Sequence, residues 1–157
     1  MKKPRVWPAW VLRWLLNLFP PFLLGGIRVS DVPADCSACR VRVRRALLTR
    51  NLNGTTFGGT LYSACDPLYA VLYWQALARR GLRVVVWTKR CSIAFARPAR
   101  GSVWAECALS AEQLDSVAAE LESAGRAVRT HSMELSNRAG EACVRVETEV
   151  YVGLERA

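Results

Sequence analysis

A chain of 157 residues, 52% of them apolar, can fill one hydrophobic core that buries about 70% of its unfolded surface, and no stretch reads as a disordered tail. The net charge of +9 comes from 22 basic residues, of which only Lys2, Lys3 and Lys89 are lysine. Arginine forks suit phosphates, so the charge fits an anionic partner such as the phosphate end of a nucleotide, a nucleic acid or a membrane surface. The six cysteines lie in apolar contexts in a chain too large to need stapling, which predicts reduced, mostly buried thiols in a cytoplasmic protein. Only Cys36 and Cys39 have C-x-x-C spacing, and the lone His131 cannot complete a zinc site, so no metal and no cofactor is expected.

Residues 1–25 hold Lys2, Lys3, Arg5 and Arg13, the tryptophans Trp7, Trp10 and Trp14, and an apolar run that Pro20-Pro21 closes. Arg13 and Asn17 interrupt any signal-peptide core, and the proline pair ends the run far short of the about 20 residues a membrane span needs. An amphipathic helix from about Ala9 to Phe19 is predicted, its apolar side packed on a domain formed by residues 26–157. The alternative is a basic, Trp-rich helix lying in a membrane interface. A strand from Ile27 to Val32 and a turn at Pro33–Cys36 follow. From Cys39 to Leu47 a half-buried strand is predicted, with Val41 and Val43 on one face and a solvated row of Arg40, Arg42 and Arg44 on the other.

The segment Asn51–Pro67 runs from a polar, glycine-rich turn into the longest apolar stretch of the middle. Gly54, Gly58 and Gly59 allow positive φ and close approach, and the run from Thr60 to Leu77 is long enough for a helix. A helix N-terminus at the glycine pair presents unpaired N–H groups and the positive dipole end, which favour an anion, a carbonyl oxygen or a developing oxyanion. The helix carries Leu61, Cys65, Leu68, Leu72 and Ala76 on one stripe and is apolar nearly all round. It is therefore predicted to be buried from about Gly58 until Arg79-Arg80-Gly81 ends it. Pro67 removes the bond to Ser63 and invites a kink. Alternatively Asp66 is an N-cap with Pro67 at N1.

Strands at Leu82–Thr88, Cys91–Phe95 and Val103–Leu109 come next. Ser110 and Gln113 form a capping box before a short helix with Leu114, Val117, Ala118 and Leu121 at helical spacing. Strands Val128–Leu135 and Glu141–Val152 are joined by a hairpin turn at Asn137–Gly140. Two strands, one long buried helix and four more strands make an α+β chain whose sheet wraps around its helix.

Asn51, then Gly58-Gly59, then Asp66 resembles the Asn-x-x-Gly-x-x-His-Gly-Gly…Asp pattern of hotdog-fold acyl-CoA thioesterases of the phenylacetic-acid-pathway type. The variant Gly-Thr-x-Phe-Gly-Gly-x-Leu-Tyr…Asp-Pro is similar to a hotdog-related thioesterase-like family of unknown function, of the type of the YiiD C-terminal domain. The likeness runs from about Leu16 to Val152. It implies a hotdog fold and an acyl-CoA or acyl-carrier thioester substrate, hydrolysed at the interface of a homodimer or dimer of dimers. It implies a catalytic set of Asn51, Gly58, Gly59, Asp66 and Thr88. The glycine amides polarise the thioester carbonyl, while Asp66, aided by Thr88 from a neighbouring strand, activates water or attacks. Phe57 departs from the pattern where the family has histidine, and Thr88 stands where the nearest relatives tend to carry an acid. A protein that binds an acyl thioester without cleaving it is the alternative, and a peripheral membrane interaction module the third reading. No serine–histidine–aspartate set, paired carboxylates, phosphate-loop lysine or nucleic-acid signature is present, so nucleic acid is not an expected partner.

Overall fold

Alternation of apolar and polar residues builds a sheet of six strands in the order β1-β2-β4-β5-β6-β3 in a computed structural model that describes residues 3–155. The strands are β1 (Ile27–Asp31), β2 (Ala38–Val43), β3 (Val84–Phe95), β4 (Val103–Ala108), β5 (Arg126–Ser136) and β6 (Ala142–Leu154), and every neighbouring pair is antiparallel. Cys39, Val41 and Val43 of β2 point into the core while Arg40 and Arg42 face out, as the period of two requires. On β6 the inward row is Val144, Val146, Thr148, Val150 and Val152.

The helices are α1 (Ala9–Leu18), α2 (Pro20–Leu24), α3 (Gly58–Cys65), α4 (Leu68–Arg79) and α5 (Ala111–Ala124). Leu68, Leu72, Tyr73, Gln75 and Leu77 of α4 are all but fully buried. One side of α4 meets β2 and β4, and the other meets β6 and β3. In the sheet order β2 and β3 stand four spacings apart, roughly 19 Å at the usual strand separation, whereas a helix is about 10–12 Å across. One helix can touch both only if the sheet curls around it, and this is the hotdog architecture expected above.

Two elements depart from the sequence expectation by more than a residue or two, and a third break falls where Pro67 predicts a kink. The chain leaves β2 at Val43 instead of running on to Leu47, because Arg44 N–H bonds Gly26 O and a single 3-10 turn at Leu47–Thr49 follows. The two strands expected at 82–88 and 91–95 are one strand, β3, with a bulge at Lys89 where the register to β6 shifts. The long central helix is broken into α3 and α4 at Asp66-Pro67. Elsewhere local rules hold. Ser110 and Gln113 cap α5 reciprocally, Gly125 closes it at φ 72°, and Asn137 N–H bonds Glu141 O across the β5–β6 hairpin.

The N-terminal helix docks differently from an ordinary amphipathic helix. Leu12 is buried and Leu16 packs on the core, but the polar side chains also turn inward. Asn17 donates through Nδ2 to Val29 O and accepts from Val29 N–H at its Oδ1, at 2.9 and 2.8 Å, and so clips α1 to the free edge of β1. Arg13 donates to Ser30 O.

His131, on the inward face of β5, is buried, stacks on Tyr69 with ring centroids 4.1 Å apart and shares a 3.0 Å hydrogen bond between Nε2 and the Tyr73 hydroxyl. Burial and the Arg129 charge both lower its pKa below the ordinary 6.5. The unfolded chain therefore binds the proton first, so this contribution is fully present above about pH 6.5 and is lost as pH falls below it. Melting temperature should decline between pH 6.5 and 5, and His131→Gln should flatten that decline while lowering the melting temperature at pH 8. A pH slope unchanged in the variant would assign the acid sensitivity to other groups.

Candidate functional site

The start of α3 is set by a loop whose polar groups are nearly all spent locally. Asn51 N–H bonds Thr55 O at 2.8 Å, its side-chain amide donates to Thr55 Oγ1 at 2.9 Å, and its Oδ1 accepts from Thr55 N–H at 3.0 Å. Gly54 closes the turn at φ 73°, a conformation that β-carbon-bearing residues rarely adopt. Thr56 N–H then bonds Ala99 O and Phe57 N–H bonds Thr49 O, which fixes the direction in which the chain enters the helix. Asn51 is thus in the loop that aims the helix, with its side chain engaged to Thr55.

Phe57 is the N-cap, and its carbonyl accepts the N–H groups of Thr60 and Leu61. Gly58 and Gly59 occupy N1 and N2, too early for any acceptor within the helix, and neither amide has a partner elsewhere among the described residues. The two glycines are half-buried beneath aromatic rings. A β-carbon on Gly59 would come within 2.4 Å of the Phe57 ring, and one on Gly58 within 2.9 Å of the tip of Phe95. Absence of side chains at 58 and 59 therefore lets two exposed phenylalanines flank a pair of free donors. Such a mouth is suited to an apolar group carrying a carbonyl oxygen.

Eight residues on, Pro67 has no N–H to give Ser63 O, and the helix breaks. Asp66 has helical torsions, φ −53° and ψ −53°, and makes no capping bond, so it is not the N-cap of α4. Its carbonyl, instead of receiving the Ala70 N–H, accepts the Thr88 hydroxyl at 2.8 Å. Thr88 therefore anchors the main chain of Asp66 from β3. Among the described residues no donor or cation reaches the half-buried Asp66 carboxylate, which is left to point at solvent or a partner.

Two neighbours of Asp66 were not singled out by the sequence. Tyr62 precedes Asp66 by four residues and so shares its helix face, and burial, Asp66 and Cys91 all raise its phenol pKa. It stays a neutral hydroxyl donor at ordinary pH. Cys91 faces the same place from β3, and Thr148 Oγ1 donates to its sulfur at 3.8 Å. The i, i+4 spacing of Tyr62 and Asp66 could have marked the first; the bulge at Lys89, which sets the facing of Cys91, has no such spacing. Cys65, on the buried side of the helix, is pushed up to about 12 by burial and is an inert thiol. The C-x-x-C spacing likewise leads elsewhere, since Cys39 Sγ lies 3.1 Å from Cys107 Sγ across β2 and β4. Among the described residues no group of three His, Cys, Asp or Glu side chains could hold a metal.

Gly58 and Asp66 stand eight residues apart, about 12 Å along a helix axis. One carbonyl cannot meet the free amides and the carboxylate of the same protomer. The long edge strand β3 links these two ends, touching Gly58 through Phe95 and Asp66 through Thr88.

The chain belongs to the family described as a domain of unknown function, DUF4442, which matches residues 9–152. No curated protein matches it. Among solved structures it is similar to PA5026 of Pseudomonas aeruginosa, a protein of unknown function described as a probable thioesterase. The TM-score is 0.86 at 20% identity, over 97% of this chain and 99% of that one. It is also similar to the thioesterase HI1161 of Haemophilus influenzae, with a TM-score of 0.69 at 12% identity over 98% and 96% of the two chains. The PaaI protein of the E. coli phenylacetic acid degradation operon gives 0.58 at 16% over 95% and 94%. These likenesses establish the hotdog fold.

Phe57 has ψ 132°, which suits the residue before a proline, and Gly58 is at N1, where proline is tolerated. Gly58→Pro should therefore delete one donor yet keep the melting temperature within a few degrees, with only the tip of the exposed Phe95 displaced. A loss of helical signal would show that the Gly58 amide is structural. Thr88→Val should cost about 1 kcal/mol of stability through the lost bond to Asp66 O, and Thr88→Ser should restore it.

Proposed function

We propose that the protein hydrolyses an acyl thioester, with coenzyme A or an acyl carrier as the thiol, at a site shared by two protomers. The observation that carries this reading is Asp66, a half-buried carboxylate at a helix break that no donor or cation among the described residues satisfies. A group with no structural partner in such a place is a candidate for chemistry. The Gly58 and Gly59 amides of one protomer hold the carbonyl oxygen and stabilise the oxyanion. Asp66 of the partner subunit takes a proton from water as it attacks, or attacks the carbonyl itself. Tyr62, on the helix face of Asp66, is a neutral hydroxyl available to the attacking water.

The geometry of β3 supports a specific dimer. It is an edge strand of 12 residues with Val85, Trp87 and Phe95 exposed, a long unpaired ladder of the kind that invites strand addition. Its contacts to Gly58 and Asp66 come from Phe95 and Thr88, whose midpoint falls between Cys91 and Ser92. A two-fold antiparallel β3–β3 pair centred there would bring the helix start of each protomer beside Asp66 of the partner subunit. The free thiols among the described residues support a reducing, cytoplasmic setting.

A second reading is favoured by Phe57 and Thr88. The Phe57 side chain has no donor to offer at the helix start, and the Thr88 hydroxyl is committed to the Asp66 carbonyl rather than to the carboxylate. Such a site could hold an acyl thioester without cleaving it.

Thiol release from a panel of short, long and aromatic acyl-CoAs separates the two. Hydrolysis predicts turnover by the wild type and a 10²–10⁴-fold lower kcat for Asp66→Asn at unchanged melting temperature. Equal rates for both would remove Asp66 from the chemistry. Binding of one acyl-CoA with no thiol released by the wild type would establish the second reading. Sedimentation should give a dimer at micromolar concentration, and a strict monomer would rule out a shared site.

A further inference from the structure

The outer face of α1 and α2 is inverted relative to a normal surface helix. The polar residues of α1, Arg13 and Asn17, are used against β1, while Trp10, Trp14, Leu15 and Leu18 face solvent, the two tryptophans at 65% and 51% exposure. Trp10, Trp14 and Leu18 fall at i, i+4 and i+8 and so form a single stripe. Phe19, Leu23 and Leu24 extend it onto α2. A contiguous apolar patch of this kind on a folded chain marks an interaction site. The described helices are too short or too polar to cross a bilayer, so the stripe can lie on a surface but not span it.

The rim of the patch identifies the surface. Between α1, α2 and the outer face of the sheet runs a groove of about 360 Å³ whose apolar wall is Trp14, Leu18 and Leu23 and whose opposite wall is Arg28, Arg42 and Arg44. Arg28 and Arg42 are directly opposed across β1 and β2, a like-charge pair that costs stability in isolation. Among the described residues none of these three arginines has a carboxylate within ion-pair distance; Arg42 is held only by Ser102 Oγ and the Trp104 ring. The first 50 residues carry ten basic and two acidic side chains, so eight of the nine net charges lie in this part of the chain. The patch itself offers almost no hydrogen-bonding groups to orient a protein partner, whereas tryptophans at headgroup depth and arginines at phosphates match an anionic bilayer.

We propose that the α1–α2 face docks the protein peripherally on an anionic membrane surface, with Trp10, Trp14 and Leu18 inserted among the acyl-chain boundary and Arg28, Arg42 and Arg44 on lipid phosphates. The docking is independent of thioester hydrolysis, since it uses none of the residues of the candidate site. It gives the helix two roles at once: one side is clipped to β1, and the other is left for lipid.

Flotation of the full chain with phosphatidylcholine vesicles, with and without 30% phosphatidylglycerol, tests this. Wild-type protein should float with the anionic vesicles, with a blue shift of tryptophan emission, and should dissociate as salt rises. Trp10→Ser with Trp14→Ser should abolish flotation while the melting temperature and any thioesterase rate are kept, because both side chains are exposed. Arg28→Gln with Arg44→Gln should weaken partitioning on the order of tenfold, and only on anionic vesicles. No flotation of the wild type, or flotation indifferent to both double variants, would overturn the proposal. So would a smaller particle in sedimentation for the tryptophan variant than for the wild type, since the face would then be covered by a second copy of the chain.

Discussion

The break at Pro67 is the constraint from which the site follows. A helix apolar enough to be wrapped by a sheet has no reason to interrupt itself, and the missing N–H of proline interrupts it at one place. The interruption frees the Asp66 carbonyl from the backbone ladder, and Thr88 of the edge strand takes it up at 2.8 Å. One hydrogen bond thus fixes the helix break to β3 and sets where the Asp66 carboxylate emerges. A threonine suffices for this anchor because its partner is main chain, not the carboxylate.

At the other end of α3 the constraint is space. Glycines at N1 and N2 leave two donors uncovered and allow Phe57 and Phe95 to lie against them, so that a dipole and an apolar wall meet at one point. About 12 Å of helix separates this point from Asp66, and the proposed site draws one end from each protomer. The edge strand that touches both ends is also the strand with an unpaired ladder, so in the proposed dimer strand pairing and site completion are one event. Function in this reading is a property of assembly, while the fold only positions the halves.

Much of the architecture was legible in the sequence because it rests on local grammar. The capping box at Ser110, the turn at Asn137–Gly140 and the glycine start at Gly58 each need only a few neighbouring residues, and each was found where expected. Features that depend on a distant partner were not legible. Lys89-Arg90 reads as a strand end, yet it is a bulge, because only the register to β6 decides whether the chain continues. Asn17 and Arg13 take β1 main-chain groups as partners, which no periodicity can reveal, and Trp10 and Trp14 are left exposed. Asp66 and the glycine pair were visible as residue types, whereas the bond that ties the Asp66 carbonyl to Thr88 depends on a distant strand.

Subunit mixing tests the shared site most directly. Asp66→Asn and Gly58→Pro each disable a different half, so each homodimer should be nearly inactive as a thioesterase. Co-denatured and refolded together, they should regain about a quarter of the wild-type rate, because random pairing makes half the dimers mixed and each mixed dimer has one intact site. Recovery with that stoichiometry is the expected result; two inactive variants that stay inactive in a mixture shown to contain mixed dimers would contradict a site built across the interface.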